Sequence, residues 1–128
     1  MKSKCCSPGE CDIHPRLRVI CGTAIAFGPG KADLLEALHL TGSITKAAAQ
    51  LGMSYMRAWT LIRTMNRNFN GPLVVAVRGG TQGGGGAVLT DLGREALTLY
   101  RRMELKCQRS VQPEWKKFQK LCKKGRAK

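Results

Sequence analysis

The sequence has few acidic residues and almost no histidine. Only 8 of its 128 residues are Asp or Glu and only 2 are His, against 22 Lys and Arg. The carboxylates are scattered without pairing, and no candidate nucleophile has an evident general base beside it. We therefore predict that the chain is not an enzyme and that it carries no cofactor.

Long apolar runs and an export signal are missing as well. No stretch approaches the ~20 apolar residues that a membrane-spanning helix needs. The N-terminal segment, MKSKCCSPGECDIHPRLRV, lacks the apolar core that secretory signals contain. We expect a cytoplasmic protein with no membrane partner, whose six cysteines are thiols or metal ligands rather than disulfides.

Positive charge is abundant and unevenly distributed. The formal net charge is +14; residues 1–64 hold 8 Lys and Arg against 4 Asp and Glu, whereas residues 65–128 hold 14 against 4. A field of this sign attracts polyanions, nucleic acid first and an anionic membrane surface second. With 43% apolar residues, the chain is long enough for one domain with a modest core.

Composition divides the chain into three predicted parts. Residues 1–15 form an irregular leader that contains cysteines, residues 16–112 form the folded domain, and residues 113–128 form a basic tail. From Lys116 onward the tail holds seven Lys and Arg. Two interpretations of the tail stay open: it tracks DNA phosphates without reading sequence, or it is an unstructured, solubilising end.

Two short helical patterns on either side of residues 51–53 have the proportions of a helix-turn-helix. Ser43 is a good N-cap for the first pattern, SITKAAAQL, in which the small Ala47 and Ala48 allow a close helix crossing. Ser54 caps the second pattern, SYMRAWTLIRTMNRNF, which has an apolar stripe on one face and a polar, cationic opposite face. The spacing by itself is moderately specific, because any three-helix domain could contain such a turn.

A glycine-rich hairpin follows directly. LVVAV (73–77) and AVL (87–89) are typical of paired strands around RGGTQGGGG. No Gly-Lys-Ser or Gly-Lys-Thr follows the glycines, so the segment is not a nucleotide-binding P-loop. The glycines instead predict a wing at residues 79–86 whose tip lies close to a phosphate backbone.

A long helix is predicted from Asp91, with Thr90 as its cap. Its apolar stripe comprises Leu92, Ala96, Leu99, Met103, Cys107 and Val111, and Leu97 and Tyr100 flank this stripe. Pro113 is expected to break or kink this helix, or to begin a final one.

With a short strand pair predicted from RLRVICGTAIAFG, these elements define the predicted fold class. It is α+β and mostly α: a winged helix-turn-helix with an N-terminal strand pair, a Gly-rich β-hairpin wing and a long C-terminal helix.

The second helix of the helix-turn-helix is predicted to enter the major groove of DNA. There Arg57 can pair with guanine, while Arg63 and Arg67 reach phosphates. The predicted DNA-binding residues are Ser54, Tyr55, Met56, Arg57, Thr60, Arg63 and Arg67 on the helix, and Arg78, Thr81 and Gln82 in the wing. Arg63 or Arg67 alone is equally typical of a solvated face, and Trp59 is interpreted as core packing rather than as a contact.

A family resemblance rests on GSITKAAAQLGMSYMRAWTLIRTMN followed by GGTQGGGGAVLTDLGREALTLY. These stretches resemble the N-terminal DNA-binding domain of ModE-type molybdate-responsive transcriptional regulators, a winged helix related to LysR-type regulators. The match covers roughly residues 16–105. The resemblance implies a recognition helix from Ser54, a wing at 79–86, and a homodimer paired through the long helix and the N-terminal strands.

The sequence also departs from full-length members of that family. The molybdate-binding domains that follow in those members have no counterpart here, so we expect no molybdate to bind to this chain. Met56 stands where members often have a basic residue, which leaves the operator sequence open.

Cysteine is concentrated near the N-terminus. Cys5, Cys6, Cys11 and His14 could together hold zinc or another thiophilic metal, although their spacing matches no standard finger. Incidental thiols in an irregular leader are the alternative interpretation. The other three cysteines, Cys21, Cys107 and Cys122, are predicted to pack as small hydrophobes.

The function predicted from the sequence is that of a sequence-specific transcriptional regulator that binds double-stranded DNA as a homodimer. One alternative is a metal- or redox-sensing DNA-binding regulator that uses the N-terminal Cys/His cluster. Another is an architectural DNA-binding protein without sequence preference.

Overall fold

A computed structural model describes residues 11–77 and 86–122 of the chain. The described residues form two compact units, residues 17–100 on the one hand and residues 11–16 with 101–122 on the other. In chain order the elements are β1 (Val19–Cys21), β2 (Ala24–Phe27), α1 (Pro29–Thr41), α2 (Ile44–Leu51), α3 (Tyr55–Asn68), β3 (Val74–Val77), β4 (Gly86–Leu89), α4 (Asp91–Ser110) and α5 (Gln112–Gln119). The predicted fold class, a mostly helical winged helix-turn-helix, is confirmed.

The first three helices begin and end where their capping residues predict. Pro29 opens α1, and the helix ends at Gly42, whose φ of 70° is the left-handed conformation that glycine adopts without strain. Ser43 and Ser54 cap α2 and α3, because each hydroxyl accepts a hydrogen bond from the N–H three residues later at 3.1 Å. These local signals place the turn of the helix-turn-helix between α2 and α3.

The core of the larger unit lies between α1, α2 and α3. Its members are apolar side chains that are almost fully removed from solvent, among them Leu34, Leu35, Leu38, Ala47, Ala48, Ala58, Ile62, Met65 and Leu73. Alanines at the helix contacts leave little side-chain bulk between the backbones, so the helices cross closely. Burying one face of α3 in this core leaves its opposite face open.

The β1–β2 hairpin contributes one of its faces to the same core. Phe27 is buried, and its ring meets the ring of Tyr100 edge-on with centroids 5.0 Å apart. Ile20 and Ile25, which are paired across the two strands, lie on the exposed face. Cys21 is exposed at the hairpin turn, so the prediction that it packs as a small hydrophobe is wrong. The turn carries it beyond the edge of the core.

Helix α4 covers only part of the apolar stripe that its sequence predicts. Leu92 and Ala96 are partly buried against the core, and the flanking Tyr100 is 1% exposed. Leu99 and Met103, further along the stripe, are 47% and 43% exposed. The aromatic ring of Tyr100 fills the space beside Phe27, which turns the neighbouring Leu99 outward.

The chain between α4 and α5 follows one of the alternatives predicted for Pro113. The proline lies in the first turn of α5, where its missing N–H costs no helical hydrogen bond. Trp115 and Phe118 stack with their ring centroids 6.0 Å apart. Over residues 11–77 and 86–122, no helix is both long and apolar enough to cross a membrane.

Candidate nucleic-acid interface

The outer face of α3 has the exposure that its sequence predicts. Arg57, Thr60, Arg63 and Arg67 are exposed, and Met56 is 64% exposed. The inner face carries the buried part of the stripe. A helix with a free polar face of this kind can enter the major groove of B-DNA.

The turn before α3 orients its first residues. The backbone N–H of Met53 donates to the Ala48 carbonyl at 3.0 Å, and Gly52 ends α2 in the left-handed conformation. Ser54 accepts the capping hydrogen bond through its side-chain oxygen, so its hydroxyl proton remains available to donate. Tyr55 lies in the exposed first turn, at the helix end where free N–H groups favour an anion.

The two threonines of the outer face donate to their own helix. The Thr60 hydroxyl donates to the Met56 carbonyl at 2.9 Å, and the Thr64 hydroxyl donates to the Thr60 carbonyl at 3.0 Å. Thr60 therefore presents oxygen lone pairs and a methyl group rather than a proton. Such a group can accept from an exocyclic base amine or contact the methyl group of thymine.

Trp59 is 40% exposed, so its interpretation as a core residue is wrong. Ala58 and Ile62 occupy the buried centre of the helix face, and Trp59 is turned 100° from Ala58 around the helix axis. It lies one turn from Tyr55 on the accessible surface, where aromatic side chains are available to a partner.

The electrostatic surroundings of α3 favour an anionic partner. No Asp or Glu occurs between Glu36 and Asp91 in the sequence. Lys31, at the start of α1, donates from Nζ to the Ile25 carbonyl at 2.9 Å. Burial lowers the pKa of Lys31 below its usual value, and the positive charge of Arg57 lowers it further.

The positive charge of Arg57 therefore acts on Lys31, although the two residues belong to different helices. Sequence reasoning missed Lys31 because helix periodicity relates residues within one helix and not residues at the starts of two different helices. A phosphate beside this pair would relieve the repulsion.

The wing is described only at its strands. β3 and β4 pair antiparallel, with Val74 opposite Leu89 and Val77 opposite Gly86, as the sequence predicts. The predicted contacts Arg78, Thr81 and Gln82 lie outside the described residues. Their assignment to DNA binding therefore stays a prediction.

The base of the β3–β4 hairpin is attached to α3 through Asn66. The Asn66 side-chain oxygen accepts from the backbone N–H groups of Leu73 and Val74 at 2.8 and 3.2 Å. Its amide donates to the Val74 carbonyl at 3.1 Å. Nothing in the local sequence pattern marks Asn66 for this contact.

The same hairpin is attached to two further elements. The backbone N–H of Thr90, before α4, donates to the Leu73 carbonyl at 2.9 Å, and the Thr90 hydroxyl caps α4 by accepting from the Gly93 N–H. The N–H of Ala87 on β4 donates to the Gly42 carbonyl at 3.1 Å. The hairpin is therefore held at its base by Asn66 and Thr90, and further along β4, at Ala87, by Gly42.

The cysteine cluster is only partly described. Cys5 and Cys6 lie outside the described residues, and His14 contacts Asp12 at 3.1 Å. Over residues 11–77 and 86–122, no group of three Cys, His, Asp or Glu side chains could hold a metal ion. A hydrogen bond with the Cys11 thiol raises the pKa of the Cys122 thiol. The metal site predicted at Cys5, Cys6, Cys11 and His14 stays a prediction.

In this domain an exposed cationic helix follows a tight turn, and a two-stranded hairpin comes after it. These features define a winged helix-turn-helix, which is a class of DNA-binding domain. Residues 31–94 match the family model described as bacterial regulatory helix-turn-helix protein, lysR family. The chain belongs to this family. The regulatory class also favours the predicted non-enzymatic role.

Individual relatives agree with the resemblance seen in the sequence. The molybdenum transport protein ModE of Azotobacter vinelandii is 44% identical over 90 residues, 70% of this chain and 32% of that protein. The molybdenum-pterin-binding protein MopB of Rhodobacter capsulatus is 40% identical over 82 residues, 64% of this chain and 30% of that protein. The DNA-binding transcriptional dual regulator ModE of Escherichia coli K12 is 43% identical over 72 residues, 56% of this chain and 27% of that protein. The chain thus spans less than a third of the length of these relatives.

Proposed function

We propose that the chain is a sequence-specific transcriptional regulator that binds a palindromic DNA site as a homodimer. The observation that carries the proposal is the outer face of α3, where three arginines and Thr60 are exposed within a stretch of sequence, residues 37–90, that contains no Asp or Glu. Two-fold symmetry would place the two copies of α3 in successive major grooves, ~34 Å apart. Selection from random duplexes tests this, because failure to enrich a palindrome would contradict it.

The residues of α3 divide between two roles. Ser54, Tyr55, Met56, Arg57 and Thr60 are nearest its N-terminal end, which is the part that meets base edges in helix-turn-helix proteins. Arg63 and Arg67 lie further along and contact phosphates. In the wing, Arg78, Thr81 and Gln82 bind the DNA backbone, in keeping with their polar side chains among glycines.

Replacing Arg57 and Arg67 separates base reading from phosphate binding. We expect Arg57→Ala to cost about 1–3 kcal/mol of discrimination at one base pair. Arg67→Ala is expected to weaken binding to every duplex alike and to reduce the salt slope by about 1. Titration of selected and scrambled duplexes at several salt concentrations measures both quantities.

A charge-conserving variant is the control for this comparison. Arg57→Lys keeps the positive charge but loses the bidentate fork, so it should relax base preference while leaving the salt slope unchanged. Equal effects of Arg57→Ala on selected and scrambled DNA would refute the base-reading role of Arg57.

The proposed homodimer is supported by apolar surface that a single chain leaves uncovered. Leu99 and Met103 lie one turn apart on the exposed side of α4. Ile20 and Ile25 are paired on the exposed face of the β1–β2 hairpin. These are the two elements through which the ModE resemblance implies pairing, and burial of such side chains is a main driving force for association.

Leu99→Glu is expected to convert the dimer into a monomer, because it would place a charge in a desolvated apolar contact. Sedimentation equilibrium measures the molecular mass. Leu40→Glu is the matched control, since Leu40 is 72% exposed on α1, which is not one of the two elements proposed to pair, and the variant should remain dimeric. A dimer that survives Leu99→Glu would exclude pairing through this face of α4.

The names of the relatives support a role in molybdenum-linked gene regulation. We propose that the sites bound by this chain lie beside genes of molybdenum metabolism. Sequencing of the genomic fragments bound in cells tests this proposal, and sites with no such neighbours would contradict it.

A further inference from the structure

The side chain of Asn66 differs from the other polar side chains of α3 in what it bonds. Thr60, Thr64 and Asn68 all donate to carbonyls of α3 itself. Asn66 instead makes three hydrogen bonds to the chain that enters β3. It therefore connects α3 to the β3–β4 hairpin.

The chemistry of this contact suits an amide. The side-chain oxygen of Asn66 takes the N–H groups of two successive residues, Leu73 and Val74, and its nitrogen donates to the carbonyl of Val74. An amide offers an acceptor and a donor together, so it can satisfy both polar groups of one residue. Three hydrogen bonds to adjacent backbone groups fix the orientation of the hairpin relative to α3, whereas a single hydrogen bond would allow the hairpin to rotate about it.

The same short segment is held on its other side by the start of α4. The Leu73 carbonyl accepts from the Thr90 N–H, and Gly93 lies so close that a Cβ there would be 2.2 Å from the Leu73 oxygen. Leu73 is also fully buried. The base of the hairpin thus has little freedom to move relative to α3 while the Asn66 contact is made.

We infer that Asn66 is a positioning residue for DNA binding, which holds the β3–β4 hairpin at one angle to α3. This rests on the proposed function. With the angle held, β3 and β4 keep one orientation to α3 when α3 is in the groove. The proposed contact between the wing and the DNA backbone then forms at high effective concentration rather than as an independent event. Without Asn66 the hairpin keeps its contacts with Thr90 and Gly42 but loses the side-chain hydrogen bonds to α3, so its angle to α3 is less well fixed while α3 still reads its bases.

Asn66→Ala, compared with Asn68→Ala, tests this role on the full chain. Asn68 is the matched control because its amide donates only to Thr64 of the same helix, at 2.8 Å. We expect Asn66→Ala to reduce the salt slope by about 1–2, the loss of one or two phosphate contacts. Affinity should fall roughly tenfold, whereas preference for the selected duplex over single-base variants should stay as in the parent. Asn68→Ala should leave all three quantities unchanged.

Hydrogen exchange adds a readout that a general loss of stability would not produce. In Asn66→Ala, the N–H groups of Leu73 and Val74 should lose protection while the N–H groups of α3 keep theirs. A variant with exposed Leu73 and Val74 N–H groups and an unchanged salt slope would overturn the inference. Equal loss of base preference and salt slope would also overturn it, since that pattern indicates damage to α3.

Two aspartate variants keep the inference testable if the alanine variant does not fold. Asn66→Asp retains the oxygen that accepts from both N–H groups, and Asn68→Asp adds the same charge two positions away. Asn66→Asp loses the amide that donates to the Val74 carbonyl and sets a carboxylate oxygen against it. Its salt slope should therefore fall more than that of Asn68→Asp, and equal salt slopes for the two variants would contradict the role of Asn66. If the parent protein binds all duplexes alike, sequence-specific function fails, but the salt-slope comparison still decides the role of Asn66.

Discussion

Replacing Gly93 with alanine should destabilise the protein by about 3 kcal/mol. A Cβ at this position would lie 2.2 Å from the carbonyl oxygen and 3.0 Å from the carbonyl carbon of Leu73. Both are backbone atoms of a buried residue, so no side-chain rotation relieves the overlap. The N-terminal turn of α4 would have to move away from β3.

Urea unfolding of Gly93→Ala against the parent measures the loss directly. Gly30→Ala is the matched control, since Gly30 also lies in the first turn of a helix, α1, but a Cβ there meets nothing within 4 Å. It should stabilise the protein by about 0.4–1 kcal/mol, because alanine has less freedom to lose on folding. An unchanged midpoint for Gly93→Ala would show that α4 and β3 are not held together at Leu73.

Removal of the Tyr100 side chain is expected to have the other large effect, about 4 kcal/mol for Tyr100→Ala. The ring is buried against Phe27, and the hydroxyl donates to the Leu17 carbonyl at 2.7 Å. Its loss would leave a cavity between α4 and the β1–β2 hairpin and an unpaired carbonyl. Thermal unfolding at fixed protein concentration is the measurement.

Two further variants separate the parts of the Tyr100 contribution. Tyr100→Phe keeps the ring and should lose only about 1 kcal/mol, the hydrogen bond to Leu17. Leu99→Ala alters an exposed neighbour and should change the stability of the monomer by less than about 0.5 kcal/mol. If Leu99→Ala were the more damaging variant in the monomer, the assignment of the buried face of α4 would be reversed.

Much of the interface could be predicted because its signals are local. Ser54 caps the helix that follows it, and the period of 3.6 residues separates the outer arginines from the buried Ile62. The wing strands could also be predicted from the sequence, since β-branched residues flank a run of glycines. Each of these signals lies within one short continuous stretch of the chain.

The position of Trp59 was predicted wrongly for a different reason. Trp59 is a large apolar side chain beside an apolar stripe, and periodicity assigns such a flanking residue to the core. The space available is set by what other elements have already filled. Alanine at position 58 fits the crossing of α3, and Tyr100 fills the gap beside Phe27, so their neighbours are turned outward.

The amino-acid order by itself determined where α2, α3 and α4 begin, which face of α3 is polar, and the family to which the chain belongs. Helix caps, glycine turns and hydrophobic periodicity act between residues that are close in the chain, so they can be recognised from the sequence alone. Only the tertiary structure decided that the charge of Arg57 acts on Lys31, that Asn66 holds Leu73 and Val74, and which side of α4 is covered. These features depend on how elements that are far apart in the sequence pack against one another in the interior, and no local sequence pattern specifies that packing.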